Sequence, residues 1–276
     1  MYYRLAFLVA LAALFVVQPA SAAPPHRIVS LSPTATESLF AIGAGAQVVA
    51  VDDQSDYPKR APRTSLSGYT PNVEAIAGYR PDLVVLSGDA NGVVAGLRKL
   101  GIRVLLQPAA TTLAEAYAQI RHLGTVTGHK RNAAAVVARM KKAIAQTLKS
   151  VPKRKLSVYH ELDPTYYSAT SKTFIGRIYR LFGLRNIADA ADSSGSGYPQ
   201  LSGEYILSSN PGLIVLADTR CCGQSAATVA ARPGWSGLSA VRSHRVVGID
   251  DSVASRWGPR IVEFVRAVGK ALRRKA

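Results

Sequence analysis

The stretch Glu74-Ala-Ile-Ala-Gly-Tyr-Arg-Pro-Asp-Leu-Val-Val-Leu86 returns as Glu204-Tyr-Ile-Leu-Ser-Ser-Asn-Pro-Gly-Leu-Ile-Val-Leu216, offset by 130 residues. Acid, isoleucine, proline and the closing apolar run keep identical spacing, and a Gly-Tyr pair precedes each acid, at Gly68-Tyr69 and Gly197-Tyr198. Each copy has a physical reading. A short helix begins near the glutamate, whose charge favours a helix N-terminus. Pro81 or Pro211 stops it. The apolar run Leu83–Leu86 or Leu213–Leu216 follows as a strand buried on both faces, as in a parallel sheet. Helix–Pro–strand units recur in any α/β protein, but equal spacing in both copies points to two similar lobes.

Outward from the repeat, strands and helices alternate. In the first half Arg27–Leu31, Val48–Asp52 and Ile102–Gln107 read as strands, and Pro33–Ile42, Asn91–Leu100 and Leu113–Val126 as helices. Ser32 and Pro33 suit a cap and a first helical turn. In the second half Lys155–Glu161 and Arg245–Ile249 read as strands, and Thr173–Phe182 and Pro259–Leu272 as helices. Alternation of this kind predicts mostly parallel sheets, so the fold class is α/β with two Rossmann-like lobes. Between them Val136, Val137, Met140, Ile144, Leu148 and Val151 keep helical spacing with no Pro or Gly between Lys130 and Val151. A helix of ~22 residues would be ~33 Å long, a stiff connector. The expected division is a signal segment over 1–22, an N-terminal lobe over 23–128, a connecting helix over 129–152 and a C-terminal lobe over 153–276.

The signal reading rests on Arg4, the apolar run Leu5–Val17 of 13 residues and the Ala20-Ser21-Ala22 cleavage pattern. A membrane span needs about 20 residues, so cleavage near Ala22 and export to a periplasmic or cell-envelope compartment are expected, with an uncleaved N-terminal anchor as the alternative. The composition is 48% hydrophobic and 18% charged, too apolar for a disordered basic tail. Two cysteines exclude a disulfide-dense or multi-cysteine zinc scaffold. Net charge is +17, about +16 without the signal. Ala116 to His160 holds ten bases and no acid. Export argues against nucleic acid as partner, so this charge reads mainly as surface, with Arg256 and Arg260 set apart as candidates for an anionic ligand.

Arg27-Ile-Val-Ser-Leu-Ser-Pro-Thr-Ala-Thr-Glu37, Ser55-Asp-Tyr-Pro58, Asn72 through Leu86 and Trp257-Gly-Pro-Arg-Ile261 together resemble the class III solute-binding proteins of ABC importers, and most closely their cobalamin-binding branch. The resemblance implies two α/β lobes joined by one long helix and a metal chelate (cobalamin, haem or ferric siderophore) held between them. It implies no resident cofactor, no enzymatic chemistry and a monomer that docks on the importer's membrane subunits. The positions matching the docking glutamates are Glu74 and Glu204. The positions matching the ligand loops include Tyr57, Tyr69, Asp89, His160, Glu161, Tyr198, Cys221, Cys222, Arg256 and Trp257. Tyr69 stands where the cobalamin branch tends to place tryptophan.

Adjacent cysteines have Cα atoms ~3.8 Å apart, below the ordinary disulfide range, so a vicinal disulfide, free thiols and metal ligation stay open for Cys221-Cys222. His160, Glu161, Asp163, Tyr166 and Tyr167 crowd one segment, read either as a metal-chelate contact or as a strand end with a proline turn. No P-loop, dinucleotide fingerprint or Gly-x-Ser-x-Gly is present. The competing reading is a secreted enzyme or metal-loading protein using the same cleft. A basic adhesin for anionic polymer is what charge alone would suggest.

Overall fold

The structure, a computed structural model, describes residues 23–152 and 155–274. Residues 1–22, where the signal segment is expected, together with Lys153, Arg154, Lys275 and Ala276, lie outside the described residues. Two four-stranded sheets form. The first comprises β1 (Ile28–Leu31), β2 (Val48–Val51), β3 (Leu83–Leu86) and β4 (Arg103–Leu106) in the order β2-β1-β3-β4. The second comprises β5 (Ser157–Glu161), β6 (Arg185–Asn186), β7 (Leu213–Leu216) and β8 (Val246–Gly248) in the order β6-β5-β7-β8. All pairings are parallel, and the two orders are equivalent. The inner strands β1, β3, β5 and β7 are wholly buried; β3 and β7 are continuous apolar runs, while β1 carries Ser30 and β5 carries Ser157, His160 and Glu161 into the interior.

Helices α1 (Pro33–Ala41), α2 (Val73–Ala77), α3 (Val93–Lys99) and α4 (Leu113–Val126) belong to the first lobe. The connector is α5 (Lys130–Lys149). The second lobe carries α6 (Phe174–Leu181), α7 (Gly203–Ser209), α8 (Thr219–Cys222), α9 (Ala226–Ala230), α10 (Ser239–Arg242), α11 (Asp251–Ala254) and α12 (Ile261–Arg273). Ser32 caps α1, accepting from Ala35 N at 3.4 Å, with Pro33 in the first turn. The repeat extends into the backbone. Asn72 and Ser202 cap α2 and α7, Glu74 and Glu204 sit in their first turns, and Arg80 and Asn210 take left-handed φ of 47° and 42° just before the two prolines.

One apolar core crosses both lobes. It runs from Ile28 and Leu39 through Ile120, Val137 and Ile144 to Val158, Phe264 and Val268. α5 packs on α4, and α12 packs back on α5, so the lobes share a continuous interior. Separate clusters fill the other face of each sheet, around Ile76 and Val84 and around Ile206 and Trp235. This leaves the edges where the strands end free to face each other across the cleft, as open α/β sheets place their ligands.

Candidate ligand-binding cleft

In the first lobe the chain leaving β1 and β2 builds a buried polar shelf. Thr36 Oγ1 donates to Ser30 Oγ at 2.9 Å and lies 2.9 Å from Ser55 Oγ. Asp52 is buried beside them, and that burial pushes its carboxyl up to about 6. Gly68 closes on this shelf. A Cβ there would stand 2.8 Å from Leu31 O and 2.9 Å from Asp52 Oδ2, so only glycine admits the approach. Its neighbour Tyr69 is thereby held at the strand-end edge with 79% of its surface exposed. Tyr57 is 44% exposed, and the Arg260 guanidinium sits 4.2 Å from its ring centroid. Asp89 is exposed and accepts from Val94 N at 2.9 Å, orienting the turn that leads into α3.

In the second lobe Tyr198 (48% exposed) and Tyr167 (41%) face outward near the end of β5. Ser168 N and Thr170 N donate to Pro199 O and Gly197 O, zipping the two tyrosine loops together. Cys221 and Cys222 form a vicinal disulfide in the exposed turn α8, right after β7. Asp251 pins this turn, accepting from Cys221 N at 2.8 Å and Arg220 N at 3.0 Å. Of the three readings of the cysteine pair, the structure takes the disulfide. Among the described residues no cluster of three or more His, Cys, Asp or Glu is arranged to hold a metal ion.

Two residues expected on the cleft lie beneath it. Strand alternation separates them. His160 turns to the face that packs on α6 and α12, fully buried, with Nδ1 2.6 Å from Tyr179 Oη and Phe264 alongside. Burial lowers its pKa to about 3, so the ring is neutral. Glu161 turns to the opposite face and is also fully buried. Arg232 grips it with two bonds of 2.6 Å, and Arg232 itself lies over Trp235 (4.6 Å) and Tyr166 (5.5 Å). Asp218, at the end of β7, is buried in the same cluster and neither of its oxygens meets a protein donor. Burial and the neighbouring Glu161 charge push its carboxyl up to about 7. These acids support the cleft floor from below. Arg232 and Asp218 were not legible as site residues; the one signal was an arginine in a Pro-Gly turn before Trp235.

Arg256 and Trp257 are also placed differently from expectation. The segment they open crosses to the first lobe. Arg256 donates to Glu37 Oε1 and Asp56 Oδ1, both at 2.9 Å, and to Gln54 O at 2.8 Å. Arg260 donates to the same Glu37 oxygen at 2.5 Å, and Trp257 Nε1 donates to Gln119 Oε1 at 2.8 Å. Both arginines are therefore spoken for by acids of the opposite lobe, which explains why the bases singled out for an anionic ligand are not free to take one. Arg220 extends the bridge to Asp56 and Asp250. Beside it lies an interlobe cavity of about 820 Å³ that includes Tyr57, Arg63, Arg220 and Asp250 in its walls, within the usual size range of ligand sites.

Glu74 and Glu204 are exposed at equivalent places in the two lobes. Hydrogen bonds from its own backbone N–H and from Ser202 hold the Glu204 carboxyl below the usual range.

The periplasmic binding protein family matches residues 28–253. The ABC transporter substrate-binding lipoprotein YvrC of Bacillus subtilis is 33% identical over 260 residues, covering 90% of this chain and 80% of its own. A cobalamin-binding protein of Halobacterium salinarum is 33% identical over 257 residues, covering 90% and 69%. Among solved structures, the periplasmic vitamin B12 binding protein BtuF of Vibrio cholerae superposes with a TM-score of 0.75 at 27% identity, covering 91% of this chain and 97% of that one. A duplicated parallel α/β fold, opposed strand-end edges and these relatives agree: the chain belongs to the periplasmic binding protein family.

Proposed function

We propose that the protein captures a corrinoid-type metal chelate between its lobes and delivers it to an ABC importer, without chemistry on the ligand. The observation that carries this is the set of exposed tyrosines at the strand-end edges, Tyr57 and Tyr69 on one lobe and Tyr167 and Tyr198 on the other. Flat amphipathic rings supply apolar area to a macrocycle and a polar tip to its side chains. The disulfide turn at Cys221-Cys222 adds a further exposed wall on the second lobe. The relatives named for cobalamin or vitamin B12 favour the corrinoid over haem or a siderophore. Glu74 and Glu204, equivalent and exposed, suit a pair of cationic sites on a two-fold symmetric membrane partner. The shared core along α5 favours a small closure rather than a wide hinge. The sequence of residues 1–22 suits export to a compartment where such cargo is met, and among the described residues no helix is long and apolar enough to cross a membrane. The test is a calorimetric titration with cyanocobalamin, haemin and a ferric hydroxamate. The reading predicts micromolar or tighter binding of cyanocobalamin in preference to the others. Binding of haemin or the hydroxamate alone would move the cargo class, and no binding would reject capture.

A further inference from the structure

Charge in this molecule is sorted by sheet edge. Of the 17 acids, every one but Asp82 falls at a strand end, in the loop leaving it, or no later than the middle of a helix between that strand and the next turn back. That is the cleft edge. The opposite edge, where helices end and strands begin, collects cations: Lys99 ends α3, Lys149 α5, Arg180 α6, Arg242 α10 and Arg273 α12. All five are exposed. Helix dipoles favour this placement locally, but they do not remove counter-charges. Every ion pair among the described residues uses an acid of the cleft edge, and none involves these five cations. Asp82 is occupied by the N–H groups of His26 and Arg27. Helix α5 runs along this back edge from one lobe to the other and carries no acid in its 20 residues.

The same edge holds an apolar opening. Between the end of α5 and the end of α6 lies a groove of about 730 Å³. Leu148, Val151, Leu181 and Phe182 line it, and Lys149, Lys155 and Arg180 stand on its rim. Leu181 is 44% exposed there. Hydrocarbon ringed by unpaired cations is the complement of an anionic lipid surface, in which phosphate heads lie above acyl chains.

We propose that the back edge of the protein docks on an anionic phospholipid bilayer, through the cation-lined face of α5 and the groove at its C-terminal end. The site is independent of cargo and stands whether or not the cleft takes a corrinoid. Docked in this way, the molecule turns its cleft edge, with Glu74 and Glu204, away from the lipid that holds it.

The experiment is co-sedimentation of the exported protein with vesicles of pure phosphatidylcholine or of phosphatidylcholine mixed with phosphatidylglycerol, at low and physiological salt. Binding to the anionic vesicles alone, weakening as salt shortens the Debye length, is expected. The triple variant Lys149→Glu, Lys155→Glu, Arg180→Glu should bind at least about 100-fold more weakly, from the roughly fivefold lost per basic residue removed at such a surface. The cleft-side triple Lys59→Glu, Arg60→Glu, Lys172→Glu has the same net charge and should retain binding. A neutral triple (K149Q, K155Q, R180Q) gives a smaller loss of the same sign and serves if the reversed one does not fold. Equal loss in back-edge and cleft-side variants, equal binding to neutral vesicles, or no binding at low salt would each overturn the proposal.

Discussion

Replacing Arg232 by methionine probes the floor of the second lobe. The guanidinium makes two bonds of 2.6 Å to Glu161, which is wholly buried, and a third of 2.7 Å to Gln224. Methionine keeps much of the side-chain length over Tyr166 and Trp235 but leaves Glu161 without a counter-charge, next to the buried Asp218. Breaking one side of a buried pair costs about 3–5 kcal/mol. In a chain of this size 1 kcal/mol moves Tm by about 2–4 °C, so Tm should fall by roughly 6–20 °C. The sign of the pH dependence follows. Asp218 already titrates above its unfolded value and loses a nearby positive charge in the variant, so the folded state binds the extra proton and the variant loses stability as pH rises towards neutrality. Adding Glu161→Gln removes the stranded charge and should recover more than half of the loss. Urea and thermal unfolding of the four proteins of this double-mutant cycle measure the coupling. A loss below about 1 kcal/mol, the size of an exposed pair, or no rescue by Glu161→Gln, would refute the reasoning.

Two buried groups should give opposite pH slopes in the wild type. His160 has its pKa lowered to about 3, so the stability it confers is complete above about pH 6.5 and is lost as pH falls through the acid range; His160→Phe should flatten that limb in unfolding measurements. Asp218 has its pKa raised to about 7, so its contribution is complete below its unfolded value and is lost as pH rises towards neutrality; Asp218→Asn should flatten that limb. Tyr69→Ala should weaken cyanocobalamin roughly 5- to 30-fold by titration, while Tm barely changes because the ring is so exposed. Reversing Glu74 and Glu204 to arginine should reduce import in whole cells roughly 10-fold or more with cargo affinity unchanged; a fall in affinity would place them in the cleft instead. Mass spectrometry of the unreduced protein after alkylation should find no label on Cys221 or Cys222.

The fold was legible where burial is continuous. The runs Leu83–Leu86 and Leu213–Leu216 are strands over those very residues, and Leu113–Val126 is a helix over the expected span. Short elements were legible where the repeat marks them, at α2 and α7, but not elsewhere. Strand β6 is two polar residues, Arg185 and Asn186, and exists only because β5 offers them an edge. The helix expected from Asn91 starts later, at Val93, because Asn91 and Gly92 take left-handed φ of 55° and 65°. For the site, exposed aromatics beside glycine were readable at Gly68-Tyr69 and Gly197-Tyr198. His160 and Glu161 were not, since adjacent residues on a buried strand face different cores and neither faces the cleft. Arg256 looked free because its partners, Glu37 and Asp56, are 219 and 200 residues away. Sequence spacing carries no trace of such pairs. The excess of positive charge was visible from composition, but the gathering of the acids at one edge, which leaves the cations of the other without counter-charges, emerges only once strand ends and helix ends are sorted in space.

Where the cargo sits is the most direct test of capture between the lobes. A crystal structure of the protein grown with cyanocobalamin should show the corrin between the lobes at the strand-end edges, in contact with Tyr57 and Tyr69, with Arg232 still bonded to Glu161 beneath it. A corrin bound elsewhere, or one that displaces Arg256 from Glu37 and Asp56 without touching either tyrosine, would contradict it.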